Sequence, residues 1–206
     1  MRALPFNVFW AVFSGSARAT KGFKHVGWCI APPIDVADHP AFNLFNPGFF
    51  ALIFALIWEG LVALPWLGPP CSSFSMAVNR FRSHAMRSQA FPDGFAWLTG
   101  IKRDKVALGN ALAKIACRLF AIADLVGTRA VLEQPLTCLM WWCQAYQNLH
   151  SAVKGWFGNR DVCLDGAPCR KPTSIYANDT CINQHFRHLQ LWSTAHPIGG
   201  SLRRDR

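Results

Sequence analysis

Short, near-continuous apolar runs alternate along this chain with longer stretches of helical spacing. Residues 6–13, FNVFWAVF, predict a strand buried on both faces, ended by Ser14-Gly15-Ser16. Residues 18–26 then read as a helix closed by Gly27, and 28–34 as a second short strand that delivers Asp35 at its end. Residues 105–123 have helical periodicity with few breakers, and 128–132 read as a strand carrying Glu133 to its end. Residues 136–154 predict a further helix rich in Trp, Cys and Tyr. Residues 162–177 mix strand-like pieces with Gly166, Pro168 and Pro172. Strand and helix in alternation predict an α/β fold built on an open, doubly wound sheet.

The apolar run 49–67, FFALIFALIWEGLVALPWL, admits two readings. Its length approaches that of a membrane span, about 20 apolar residues, which would make the chain a small membrane-associated subunit. Against this, Pro47-Gly48 open the run, Glu59 and Gly60 interrupt it, and Pro65 stands near its end. A helix over 48–58, a turn at Gly60 and a buried strand over 61–67 give the same composition, and this soluble reading is preferred.

Composition narrows the picture. The 206 residues are 51% hydrophobic and 13% aromatic, which excludes disorder for most of the length and suits one core. The expected organisation is one compact domain over 1–198, with 76–104 as a mobile basic insertion and 199–206 as a flexible basic tail. A formal charge of +10 favours a polyanionic partner, with nucleic acid ahead of an anionic membrane surface. Arg80, Arg82, Arg87, Lys102 and Arg103 are the candidate contacts to it. The first residues combine Arg2 with an apolar run, so a secretory leader must be weighed. Asn7 and the glycine turn that follows argue for a strand instead, and for an intracellular compartment such as the nucleus. Eight cysteines, several inside apolar helix-like stretches, then read as reduced thiols.

Two motifs carry candidate chemistry. Gly68-Pro69-Pro70-Cys71-Ser72-Ser73-Phe74-Ser75 places a thiol in a stiff, proline-braced loop at a strand end. A thiol there is nucleophilic where cations or helix N–H groups stabilise its thiolate. In Leu132-Glu133-Gln134-Pro135, a carboxylate at a buried strand end is unfavourable unless paired or used. A third motif, Phe13-Ser14-Gly15-Ser16, is a glycine turn between strand and helix. There the helix N-terminus offers unpaired N–H groups, and Asp35, about twenty residues on, suits a ribose hydroxyl pair.

Taken in order, FSGSA, the strand-end Asp35, GPPCSSFS and LEQP resemble four motifs of the DNA (cytosine-5) methyltransferases. These are the cofactor turn, the ribose acid, the Pro-Cys loop and the glutamate motif. The likeness covers about residues 8–141, and GAPCRKPT at 166–173 is similar to a tail motif of divergent phage and mobile-element members. The resemblance implies a Rossmann-like fold with S-adenosylmethionine held by Phe13, Gly15, Ser16, Asp35 and Pro70. It also implies DNA as substrate, Cys71 as the nucleophile on C6 of a flipped cytosine, and Glu133 as the acid or hydrogen-bonding group at N3. Ser16, Ala17, Ser72 and Gln134-Pro135 depart from the family's usual residues. A catalytically degenerate relative that binds nucleic acid is therefore the alternative.

Cys163, Cys169 and Cys181 precede His185 and His188, a donor-rich cluster without a CxxC pair or a standard zinc spacing. No metal is expected there. Trp141, Trp142 and Tyr146 read as core packing rather than a base-stacking platform.

Overall fold

The computed structural model describes residues 8–15, 17–81, 83–161, 172–180 and 182. Strand β1 (Val8–Val12) is apolar on both faces, and the sheet uses both: Phe9 and Ala11 enter one core, Trp10 and Val12 the other. It is joined by β2 (Cys29–Ile30), β3 (Leu64–Leu67), β4 (Val131–Pro135), β5 (Trp156–Asp161) and β6 (Pro172–Ala177), in the order β2-β1-β3-β4-β6-β5. The first four strands in that order are parallel, and β6 runs antiparallel to both β4 and β5.

The sheet is therefore mixed, with β6 reversed between two strands that run the other way. Only residues 162–171 separate β5 from β6. A parallel crossover needs about a dozen residues or more, so the shorter return favours an antiparallel ladder.

Helix α1 (Arg18–His25) covers the Phe9 side, where Phe23 stacks on Phe9 at 4.1 Å between centroids. The opposite side carries α2 (Pro47–Trp58), α4 (Gly100–Leu125) and α5 (Gln144–Ala152) over the larger core. A short α3 (Met76–Asn79) follows the cysteine loop.

The 49–67 run splits as its punctuation requires. Asn46 caps α2 by accepting from Gly48 and Phe49 N–H, Pro47 supplies the first helical residue, and the chain turns at Gly60 before β3. Among the described residues one helix, Gly100–Leu125, is long and apolar enough to cross a membrane by length and composition, yet half of its most apolar window is buried inside the protein.

Several boundaries differ from the sequence expectation. β3 begins at Leu64 rather than at 61, and β2 is two residues long. α4 begins at Gly100, five residues before the expected start. The expected 136–154 helix is two elements, a 3-10 turn over Leu139–Trp142 and α5, divided at Cys143 by extended backbone. β5 was not foreseen. Its glycine, asparagine and charges mask a strand that pairs on one edge only.

The C-terminus of α4 closes at Gly127, whose φ of +75° is readily reached only by glycine, with Thr128 N–H returning to the Ala123 carbonyl. Asn178 then fastens this end to the sheet. Its Oδ1 accepts from Ala130 N–H at 2.7 Å, and its Nδ2 donates to Asp124 Oδ1 and the Thr128 carbonyl at 3.0 and 2.9 Å. Asn178→Ala removes all three bonds and is expected to lower unfolding free energy by about 2 kcal/mol in urea titrations.

Candidate active site at the strand ends

The chain leaves β1 for β2 on one side and later returns to β3 on the other. A reversal of this kind leaves a crevice outside the carboxyl ends of the two strands, where ligands of open α/β sheets bind. Two of the motifs meet here. Gly68, following β3, donates its N–H to the Val12 carbonyl at 3.1 Å. A Cβ on Gly68 would stand 3.4 Å from the Phe13 carbonyl oxygen, so the glycine turn and the cysteine loop run side by side.

The turn after β1 is tightly wound. Phe13, Gly15 and Ala17 take φ of +61°, +50° and +52°, and a left-handed residue other than glycine stores about 1–2 kcal/mol. Such strain concentrates at functional sites. Asp35 holds the turn: its Oδ2 accepts from Gly15 N–H at 2.8 Å and its Oδ1 from Ala37 N–H at 2.9 Å. Each oxygen keeps a further lone pair for a ligand hydroxyl. Ser14 Oγ is buried and has no hydrogen-bond partner among the described residues. An orphan hydroxyl beside a glycine turn and a strand-end carboxylate suits a ribose-bearing cofactor.

Cys71 is half-buried, and its carbonyl accepts from Phe74 N–H at 2.9 Å and Ser75 N–H at 2.8 Å, which folds the loop back on itself. Gln134 braces the same loop from β4. Its buried amide nitrogen donates to the Pro69 carbonyl, and its amide oxygen accepts from Cys138 Sγ at 3.1 Å. Leu139 N–H reaches the Phe74 carbonyl at 2.9 Å and closes the contact. Sequence reasoning treated Gln134 as a departure and missed this role. The available signal was strand alternation, which puts Gln134 on the same face as the core residue Leu132.

Glu133 takes the other face. Its Oε2 accepts from Trp66 Nε1 at 2.8 Å, beside the smaller core, and no hydrogen bond or ion pair joins it to Cys71 among the described residues. The two expected catalytic residues thus do not touch: Cys71 lies four residues beyond the end of β3, and Glu133 sits in the middle of β4 rather than at the strand end expected from sequence.

Arg87 corrects the expected nucleic-acid contacts. Its side chain is 1% exposed. Nη1 donates to the Pro92 carbonyl and Asn110 Oδ1, and Nη2 to Ser73 Oγ and the Val106 carbonyl, with the guanidinium 3.7 Å above the Phe74 ring. A guanidinium so enclosed is not presented to a phosphate. Asn79 makes the companion anchor: it donates to the Ser73 and Ser75 carbonyls and accepts from Met86 and Arg87 N–H. The 76–104 stretch is thereby stitched to the cysteine loop and to α4.

Arg80 and Arg103 are exposed, and Lys102 is half-exposed with Nζ on the Ser83 carbonyl. Ser16, Arg82, Cys163, Cys169, Cys181 and His185 lie outside the described residues, as do most of the 166–173 motif and the 199–206 tail. Among the described residues no group of His, Cys, Asp or Glu could hold a metal ion.

Between the segments that follow β3 and β4 lies a cavity of about 270 Å³. Met76, Leu136 and Trp142 form its apolar walls, and Arg87, Ser88 and Thr137 its polar ones.

Burial pushes the Cys117 and Cys138 thiols up to about 12 from an ordinary 9.0, and it raises Cys143 as well. Because the folded values are raised, these thiols penalise the folded state only once the unfolded thiols ionise. Stability is therefore expected to hold below pH 9 and fall between pH 9 and 10, by up to about 1 kcal/mol per buried thiol. Arg87, lowered to about 10 by desolvation, acts in the opposite sense only above that window. Urea midpoints at pH 7.5, 9 and 10 check the sign.

Comparison with protein-family models and with curated proteins gave no match for this chain.

Proposed function

We propose that the chain transfers a methyl group from S-adenosylmethionine to C5 of cytosine in DNA, through a covalent adduct on Cys71, on a Rossmann-like methyltransferase fold. One observation carries the reading: the glycine turn after β1 and the Cys71 loop after β3 adjoin at the reversal of strand order. That arrangement would set a bound cofactor beside a thiol. Support for the fold comes from the four parallel strands and from helices on both faces.

When bound, the cofactor supplies an electrophilic methyl group. The chain's own residues do the rest. The Gly15 turn and Asp35 hold the nucleoside part, with Ser14 Oγ as a further polar partner. Cys71 Sγ, as thiolate, forms a bond to C6 of the ring, which makes C5 nucleophilic. After C5 is methylated a base takes its proton, and the C6–S bond breaks to restore the thiolate. Glu133 would have to turn from the face it shares with Trp66, which holds its Oε2, to act at the ring through Oε1. It would hydrogen-bond N3 as the ring accumulates charge.

The Trp66–Glu133 bond also favours a second reading, nucleic-acid binding without methyl transfer. Incubation with tritiated S-adenosylmethionine and cytosine-containing DNA separates the two. Label recovered as 5-methylcytosine is the expected result. DNA binding with neither label nor a calorimetric signal for the cofactor would establish the second reading instead.

A further inference from the structure

The segment leading into α4 carries an aromatic surface that the proposed chemistry does not use. Phe95 and Trp97 are stacked, with ring centroids 4.5 Å apart and planes at 9°, and Phe91 packs against both at 5.8 and 6.3 Å. Trp97 remains 68% exposed. One face of the indole is thus covered by Phe95 while much of the ring stays open to solvent. Burying an indole is strongly favourable, so an exposed one held in a fixed plane is a ready stacking surface.

Its surroundings select the partner. Gly100 opens α4 three residues beyond Trp97, a span of at most about 11 Å. The exposed Arg103 follows within the helix's first turn, and Lys105, about 200° further round the axis, adds positive charge on the other side of α4. Asp104 is the one carboxylate between them. It meets Arg103 at 3.6 Å, with both side chains about 70% exposed, and such a pair holds too weakly to occupy the guanidinium. An apolar protein partner would gain nothing from this flank. A polyanion with flat apolar bases matches both parts, and the net charge of +10 favours it at long range.

The same segment borders the candidate site. Ser88 and Phe91 exchange backbone hydrogen bonds, and Asp93 Oδ2 accepts from Gln144 N–H, at the start of α5 and next to Trp142. Ser88 and Trp142 both line the cavity beyond β3 and β4.

We propose that Trp97, backed by Phe95, is a stacking platform for an unpaired base of a single nucleic-acid strand, one of whose phosphates is held by Arg103. The inference deepens the proposed function, since it rests on a nucleic-acid substrate and names its form. It does not depend on methyl transfer. Stacking needs an exposed base face, which a duplex offers only at its ends or at a flipped base. The platform therefore discriminates against intact duplex.

Fluorescence anisotropy with a labelled mixed-sequence oligonucleotide and with its duplex tests this, without cofactor. Trp97→Ala is expected to weaken single-strand binding by about 5- to 150-fold, the range of one lost base stack. Duplex affinity should change less than twofold, and Trp97→Phe should restore most of the loss. Trp156→Ala, which removes a tryptophan 48% exposed elsewhere, serves as the control and should bind as the wild type does. Arg103→Ala should reduce the slope of log affinity against log salt by about 0.7, and Trp97→Ala should leave that slope unchanged. Wild-type single-strand affinity in Trp97→Ala, or an equal loss on duplex, overturns the platform. So does a wild-type protein that binds neither strand form. Absence of label on cytosine would sink the methyl-transfer reading and leave these binding results standing.

Discussion

Arg87→Met is expected to lower unfolding free energy by about 3 kcal/mol or more, a large part of the roughly 5–15 kcal/mol that holds a typical domain. The guanidinium donates four side-chain hydrogen bonds, to Ser73, Pro92, Val106 and Asn110. Bonds to a charged group contribute about 1.5–3 kcal/mol each, and two of the acceptors left behind, the Ser73 hydroxyl and the Val106 carbonyl, are buried where no methionine can satisfy them. Set against this is the desolvation of the cation, which lowers its pKa from 12.5 to about 10 and corresponds to about 3 kcal/mol. The bonds outweigh the desolvation, so removal destabilises. Arg87→Lys should recover little, because an ammonium lacks the planar fork that reaches four acceptors. Gly109→Ala approaches the same network from α4. Its Cβ would stand 2.4 Å from Ser73 Oγ and 3.0 Å from Arg87 Nη2. Ser73 would have to turn away and release Arg87, with an expected loss of about 1–3 kcal/mol. In a Ser73→Ala background that loss should shrink, and a double-mutant cycle by urea denaturation measures the coupling.

These two residues also show why the chain was only partly legible. Strand β1 and the helix–turn–strand over 49–67 were readable because apolar continuity and Pro, Gly and Asn punctuation act locally. The adjacency of the Gly15 turn and the Cys71 loop was implied by motif order, since strand ends on one sheet edge converge. Arg87 was misread because nothing near it in sequence distinguishes a buried arginine from a surface one. Its acceptors on Pro92, Val106 and Asn110 are assembled only when α4 docks. β5 was missed for a related reason, in that an edge strand needs neither alternation nor apolar content when β6 supplies its ladder. The faces of Glu133 and Gln134 turn on register. A shift of one residue would exchange them, and the pairing of Glu133 with Ile175 is a tertiary fact.

On the proposed covalent mechanism, Cys71→Ser is expected to reduce methyl transfer to cytosine by about 10³-fold or more, the scale on which removal of a covalent nucleophile acts. The substitution alters one atom in a loop held by Gln134 and by the two bonds to the Cys71 carbonyl, none of which uses the thiol. Folding and cofactor binding should therefore match the wild type, and circular dichroism and calorimetry verify that the lost rate is chemical. Cys29→Ser changes an exposed thiol on β2 and should leave transfer unaffected. The buried thiols of Cys117, Cys138 and Cys143 are held protonated by their surroundings at neutral pH and cannot substitute as nucleophiles. Iodoacetamide at pH 7.5 should accordingly modify Cys29 and Cys71 in the native protein and spare those three. Equal transfer by wild type and Cys71→Ser would remove the covalent mechanism. Loss of transfer together with loss of native structure would count against the loop being braced independently of its thiol. A variant that folds, binds cofactor and transfers no methyl group leaves Cys71 Sγ as the atom that attacks the ring.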